Sequence, residues 1–160
     1  MESNKKIGVL FVCLGNICRS PMAEAVFRHL IKQEGLEEQF VIDSAGTGDW
    51  HIGNPPHQGT RNILDLKHIS YEGLKARQVD VSDFTDFDYI VAMDVKNEKD
   101  LSSLAKGQVA TIIKLLDLVP EAKSKEVPDP YFTGNFDEVY DLVVRGSQAL
   151  LEHIRIQKSL

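Results

Sequence analysis

Cysteine is scarce: the 160 residues hold only Cys13 and Cys18. Two neighbouring thiols cannot build a disulfide framework, so a reducing compartment, the cytoplasm, is expected. No apolar run approaches the ~18 residues of a membrane span. The lead-in Met1-Glu2-Ser3-Asn4-Lys5-Lys6 runs straight into an apolar segment, so no secretory signal is expected. Basic residues are also in short supply, 18 against 24 acidic, for a net charge of -6. That argues against nucleic acid or an anionic membrane as the main partner, since both need a basic footprint. An anionic substrate would then depend on a local positive site. His29, His51, His57, His68 and His153 show no metal-ligand spacing with a Cys or acid cluster, so they read as surface or core residues. No metal and no cofactor are expected. Repeats, low-complexity tracts and linkers are missing too. Residues 1–160 therefore read as one domain, long enough for a sizeable core.

What is present alternates. Ile7 to Cys13, Phe40 to Ser44, Tyr89 to Met93 and Thr111 to Leu116 read as strands. Pro21 to Gln33, Pro56 to Leu66, Lys96 to Leu104 and Phe136 to Ile156 read as helices. This order predicts an α/β fold: a doubly wound four-stranded parallel sheet with helices on both faces. The last helix is the clearest. Asn135 with Glu138 makes a capping-box start, and Phe136, Val139, Tyr140, Val143, Leu150 and Ile154 form a core stripe. Two connections, Gly46 to Pro55 and Val119 to Asn135, are too long for mere links and are expected to be functional. In a doubly wound sheet, loops that follow strands gather at the carboxyl edge, where ligands bind.

The chain is organised around Val9-Leu10-Phe11-Val12-Cys13-Leu14-Gly15-Asn16-Ile17-Cys18-Arg19-Ser20-Pro21. It reads as a buried strand, a tight loop and a helix start, with Ser20 as the cap and Pro21 in the first turn. A loop wrapped at a helix start aims successive backbone N–H groups at one spot, where the helix dipole adds positive charge. Gly15 permits the turn and Asn16 tolerates a left-handed conformation. Arg19 can grip two phosphate oxygens in fork geometry. A cysteine in such a field is favoured as the thiolate, the reactive species. The loop offers a dianion cradle with a nucleophile, Cys13, at its floor; otherwise Cys13 would read as a small buried hydrophobe.

Cys-x5-Arg-Ser, in the fuller form Val-Cys-Leu-Gly-Asn-Ile-Cys-Arg-Ser-Pro-Met-Ala-Glu, resembles the phosphate-binding loop of the low-molecular-weight protein tyrosine phosphatases. Asp43-Ser44-Ala45-Gly46-Thr47, Lys75-Ala76-Arg77-Gln78, Ala92-Met93-Asp94 and Pro128-Asp129-Pro130-Tyr131 match the family in its order, so the resemblance spans nearly the whole chain. It implies a phosphate-binding loop after the first strand, formed by Leu14, Gly15, Asn16, Ile17 and Cys18. It also implies that the Ser20 hydroxyl bonds the Cys13 thiolate, and that Asn16 and Ser44 brace the loop. The family often carries His before Lys-Ala-Arg-Gln as part of that bracing. This chain has Leu74 there, so its bracing must differ.

Asp129 beside Pro130 is first a turn signal. The functional reading is general acid, because the leaving phenolate has a pKa of about 10 and a proton delivered during cleavage helps. The family match favours that role. Asp94, at a strand end, is expected to support the loop. Trp50 and Tyr131 resemble the family's walls around a phosphotyrosine ring, and Ile17 supplies an apolar floor. Related arginine phosphatases carry Thr where Ile17 stands, which favours tyrosine. Should Cys13 oxidise, Cys18 is near enough in sequence to form a reversible disulfide with it.

These features predict a metal-independent protein-tyrosine-phosphate phosphohydrolase with a cysteinyl-phosphate intermediate. Its partners would be phosphotyrosine proteins or small aryl phosphates, with inorganic phosphate and other oxyanions as site ligands. The alternatives are a thioredoxin-coupled arsenate reductase, which needs cysteines beyond Cys18, a protein arginine phosphatase, and a non-catalytic phosphoprotein-binding module.

Overall fold

The structure, a computed structural model, describes residues 5–107 and 110–160. The reading of residues 1–4 as a plain lead-in lies outside them. Four strands, β1 (Ile7–Cys13), β2 (Phe40–Gly46), β3 (Tyr89–Ala92) and β4 (Thr111–Lys114), pair in parallel in the order β2-β1-β3-β4. Side chains on a strand alternate between faces, and here both faces are covered. Val9, Phe11, Tyr89 and Val91 join the larger core, under the helices α1 (Arg19–Gln33) and α6 (Phe136–Lys158). Leu10, Val12, Ile90 and Ala92 join the smaller core, with Leu101 of α4 (Val95–Ala105) and Phe84 of the short helix α3 (Asp83–Asp86). The expected α/β class and sheet are observed.

The remaining helices are α2 (Gln58–Leu66) and the one-turn α5 (Pro130–Thr133). α6 begins as expected: the Asn135 side chain accepts from the Glu138 N–H. Its buried stripe is Val139, Val143, Leu150 and Ile154, with Gly146 filling the gap. Gly146 is required, because a Cβ there would lie 2.5 Å from Leu115 Cγ.

Three element predictions need correction. The fourth strand stops at Lys114, and Leu115–Leu118 turn into a 3-10 helix that buries Leu115 and Leu116. The long 119–135 connection contains α5, whose turn is started by Asp129. Helix α1 begins at Arg19, with Cys18 at the cap position and no capping side chain. Ser20 therefore does not cap it; its hydroxyl is engaged elsewhere.

The strand order places a topological switch between β1 and β3. Successive connections leave in opposite directions there, which opens a crevice at the carboxyl ends of the strands. Cys13 ends β1, and Asp94 lies just beyond β3.

Candidate active site

The loop from Leu14 to Cys18 connects β1 to α1 across that crevice. Three of its carbonyls, and that of Cys13 before it, are tied outward. Cys13 O accepts from Thr47 N–H, Leu14 O from Gly48 N–H, Ile17 O from His57 N–H, and Cys18 O from the Thr60 hydroxyl. Asn16 adopts φ 56°, the left-handed turn expected of it. Gly46 is needed beside it, since a Cβ would come 2.8 Å from Leu14 O. With the carbonyls turned away, the N–H groups of Leu14, Gly15, Asn16, Ile17 and Cys18 donate to no other group among the described residues. Unpaired N–H groups in a loop this enclosed are uncommon, and together they form an anion-binding nest.

Cys13 is buried at the floor of this nest. The Ser20 hydroxyl lies 3.0 Å from Sγ and the Ser20 N–H 3.4 Å from it. Hydrogen counting fixes the direction of the first bond. Arg77 N–H donates to Asn16 Oδ1 at 3.0 Å, so Asn16 Nδ2 must face the serines. Nδ2 donates to Ser20 Oγ at 2.7 Å and to Ser44 Oγ at 3.0 Å. Ser44 in turn donates to Glu24 Oε1 at 2.6 Å. Ser20 Oγ, already an acceptor, keeps its own hydrogen for Sγ; its other acceptor, the Ala45 carbonyl, is 3.5 Å away. Two donors thus face the sulfur. Leu74, in place of the family's His, is half-buried and packs against the core. The backbone of Arg77 and the carboxylate of Glu24 anchor the loop here.

Arg19 is buried as well. Its Nη1 donates to Asp94 Oδ2 at 2.6 Å and to the Val127 carbonyl at 3.0 Å, and Nη2 reaches Asp129 Oδ2 at 3.4 Å. Nε has no partner among the described residues. Burial alone would lower the pKa of the guanidinium, but Cys13, Asp94 and Asp129 together raise it, so it stays charged. Asp94 also caps α4, its Oδ1 accepting from the Asn97 N–H at 2.8 Å. Asp129 likewise divides its oxygens. Oδ1 caps α5 through the Tyr131 N–H at 3.1 Å, leaving Oδ2 toward Arg19.

A cleft of about 230 Å³ opens above the sulfur, lined by Cys13, Ile17, Trp50, Asp129, Tyr131 and Phe132 among others. Leu14, Gly15 and Cys18 also reach it. The side chains of Asn16 and Ser20 point behind the loop and hold it, while the Asn16 N–H stays in the nest. Sequence reasoning missed Phe132 and His51. His51 belongs to the cleft wall, its ring 6.2 Å from that of Tyr131. His57 caps α2 through the Gly59 N–H and stacks on Phe136 at 5.2 Å. The signal for Phe132 was its place beside Tyr131; His51 carried none beyond its neighbour Trp50. Burial, then the nearby Cys13 charge, push the Cys18 thiol up to about 12.

A buried cysteine under hydrogen-bond donors, ringed by free N–H groups and an arginine, defines a phosphate-loop enzyme with a thiol nucleophile. The comparisons agree. Residues 8–160 match the family described as low molecular weight phosphotyrosine protein phosphatase. The low molecular weight protein-tyrosine-phosphatase YfkJ of Bacillus subtilis is 55% identical over 155 residues, covering 96% of this chain and 99% of that protein. PtpA of Staphylococcus aureus is 42% identical over 92% of this chain and 94% of its own length. The crystal structure of YfkJ superposes with a TM-score of 0.94 at 54% identity, covering 96% of this chain and 98% of that one. A Drosophila arginine phosphatase also shares the fold, with a TM-score of 0.84 at 34% identity over 92% of this chain and 97% of its own. The chain belongs to the low-molecular-weight protein tyrosine phosphatase family. Among the described residues no helix is long and apolar enough to cross a membrane.

Proposed function

We propose that the chain hydrolyses phosphotyrosine in proteins, and small aryl phosphates, through a phosphorylated Cys13. The observation that carries this reading is the set of unpaired donors around the sulfur: the N–H groups from Leu14 to Cys18 and the buried Arg19 Nε. A phosphoryl group spreads negative charge over three equatorial oxygens in the transition state, and fixed donors aimed there stabilise it most. The Cys13 thiolate attacks phosphorus and the bond to the aryl oxygen breaks. Asp129 gives its proton to that oxygen, releasing tyrosine. Water then attacks phosphorus, the Asp129 carboxylate takes its proton, and the P–S bond breaks to return the thiolate and inorganic phosphate. Arg19 and the loop supply the positive charge that each step requires. Asp94 steadies Arg19.

Trp50, Tyr131 and Phe132 form the rim, which suits a flat ring. Ile17 supports tyrosine over arginine by giving the slot an apolar base. Inorganic phosphate and similar oxyanions should compete for the nest. Two free thiols, one of them the nucleophile, suit a reducing cytoplasm. Turnover of a phosphotyrosine peptide beside phosphoserine and phosphoarginine peptides tests the reading. The tyrosine peptide should be hydrolysed fastest, with a phosphate adduct on Cys13 in acid-quenched mixtures. A protein that binds these peptides without turning any of them over would refute it.

A further inference from the structure

Behind the loop lies a carboxylate that the reaction does not touch. Glu24 is buried, with 2% of its surface exposed, in the second turn of α1. One oxygen accepts from Ser44. The other is gripped by Arg28, one helical turn on, with Nε at 2.9 Å and Nη2 at 2.6 Å. Arg28 also donates to the Ile42 carbonyl of β2. Its side chain is 52% exposed, so it closes over the network from outside and fills no core space. From Glu24 the bonds run unbroken through Ser44, Asn16 and Ser20 to Cys13 Sγ.

We propose that Arg28 is a positioning residue for the reaction at Cys13: by holding Glu24 as a carboxylate, it fixes the Ser44 hydroxyl and, through it, the place of the Asn16 amide that bonds Ser20. An ionised carboxyl can only accept, so Ser44 must donate to it and offers its lone pairs to Asn16. Asn16 then spends its second Nδ2 hydrogen on Ser20, and Ser20 is left to donate to sulfur. A neutral Glu24 loosens the hold on Ser44, and with it the seat of the Asn16 amide. It either turns its own hydrogen toward Ser44, setting donor against donor, or accepts from Ser44 without the charge that makes such bonds short and directed. Burial, the largest influence, pushes the Glu24 carboxyl up, and Asp43 of β2 pushes the same way. Ser44 and Arg28 oppose them. Asp43 is itself paired with Arg77 at 3.1 Å, which mutes its influence. Arg28 is thus the cation that opposes neutralisation of Glu24.

The inference rests on the reading of Cys13 and Ser20 given above, and its test keeps the two apart. The measurement is the pH dependence of kcat and KM for para-nitrophenyl phosphate, with folding checked by circular dichroism. Arg28→Met raises the pH at which Glu24 takes up a proton. Its acid limb should move upward by about one pH unit, with kcat about tenfold lower at acid pH, recovery as pH rises, and KM unchanged. Arg28→Lys, which keeps a charge, should restore the wild-type profile. Glu24→Gln should be about tenfold slow at every pH, and adding Arg28→Met to it should cost less than about twofold, because the partner is already neutral. Should Arg28→Met not fold, Arg28→Gln, which keeps a donor without charge, serves the same comparison. A parallel loss at all pH values, or the full Arg28 cost persisting beside E24Q, would overturn the inference. A fully active Cys13→Ser control would instead overturn the site itself.

Discussion

Cys13 at the floor of the cleft and Asn16, Arg19 and Ser20, packed beneath and beside it, are each at most 3% exposed, and each side chain is bonded to at least one other. At the rim, Trp50, Tyr131 and Phe132 are 67%, 54% and 76% exposed, and the contacts of Tyr131 and Phe132 are ring on ring. The difference divides the labour. The floor holds charge in a fixed geometry, which transition-state stabilisation demands. The rim offers flat, adaptable surface, which suits selection among substrates, where each ring contact contributes only about 0.5–1.5 kcal/mol. Floor substitutions should therefore act on kcat and rim substitutions on KM.

The strongest way to break this division is Cys13→Ser. It should lower kcat by about 10⁴-fold or more while inorganic phosphate still binds, as measured by turnover and calorimetry. Retained activity would remove the floor's claim to the chemistry. A second test separates the two thiols of the same loop. Cys18 is held up to about 12, so at neutral pH about one molecule in 10⁵ carries its thiolate. Iodoacetate should alkylate Cys13 alone, as read by peptide mass spectrometry, with phosphate protecting it. The sign extends to stability. A thiol raised from 9.0 to about 12 costs nothing below pH 9, and then weakens the fold as pH climbs through that window. Urea titrations should show that part of the slope vanish in Cys18→Ala.

Asp129→Asn comes next. With no proton to give, kcat should drop by about 10²–10⁴-fold, and less for aryl phosphates whose phenols are more acidic. A uniform loss across leaving groups would deny it the acid's role. At the rim, Trp50→Ala and Tyr131→Ala should each raise KM for a phosphotyrosine peptide by about 3–10-fold with kcat nearly unchanged. A kcat effect as large as that of Asp129→Asn would erase the contrast between floor and rim.

The floor was more legible in the sequence than the rim, for a physical reason. A loop that must bend backbone around an anion restricts its residue types, so Cys13, Gly15, Arg19 and Ser20 stand in a pattern that carries its own chemistry. The sheet was legible too, since strands buried on both faces read as apolar runs; Ile7 to Cys13 is one. Long-range partners were not. Nothing near Glu24 in the chain marks it as the anchor of a network reaching Cys13, because Ser44, which links it to Asn16, meets it only through folding. Ser20 looked like a cap because serines usually are; the sulfur claimed its hydroxyl instead. The rim residues His51 and Phe132 come from a turn and from the one-turn α5, where residue type says little about direction.

An effect of the same modest size as those of the rim sits where floor and rim meet. Ile17 belongs to the loop yet lines the cleft, packed with Cys18, Ala76 and Phe136. It is 8% exposed, so its side chain meets substrate by one face only. Ile17→Thr keeps the branch at Cβ and the loop's backbone, removes apolar surface and adds a hydroxyl. Phosphotyrosine turnover should fall about threefold to tenfold in kcat/KM, since a methyl-sized change in an apolar pocket is worth about 1–3 kcal/mol at most. Phosphoarginine turnover should rise, because a guanidino group brings N–H donors that an aryl ring lacks and the new hydroxyl can accept from them. The Tm should drop by a few degrees, because one half-satisfied hydroxyl replaces packing among Cys18, Ala76 and Phe136. If the ratio of the two activities stays fixed while both fall, Ile17 merely supports the loop, and selectivity lies wholly with Trp50, Tyr131 and Phe132.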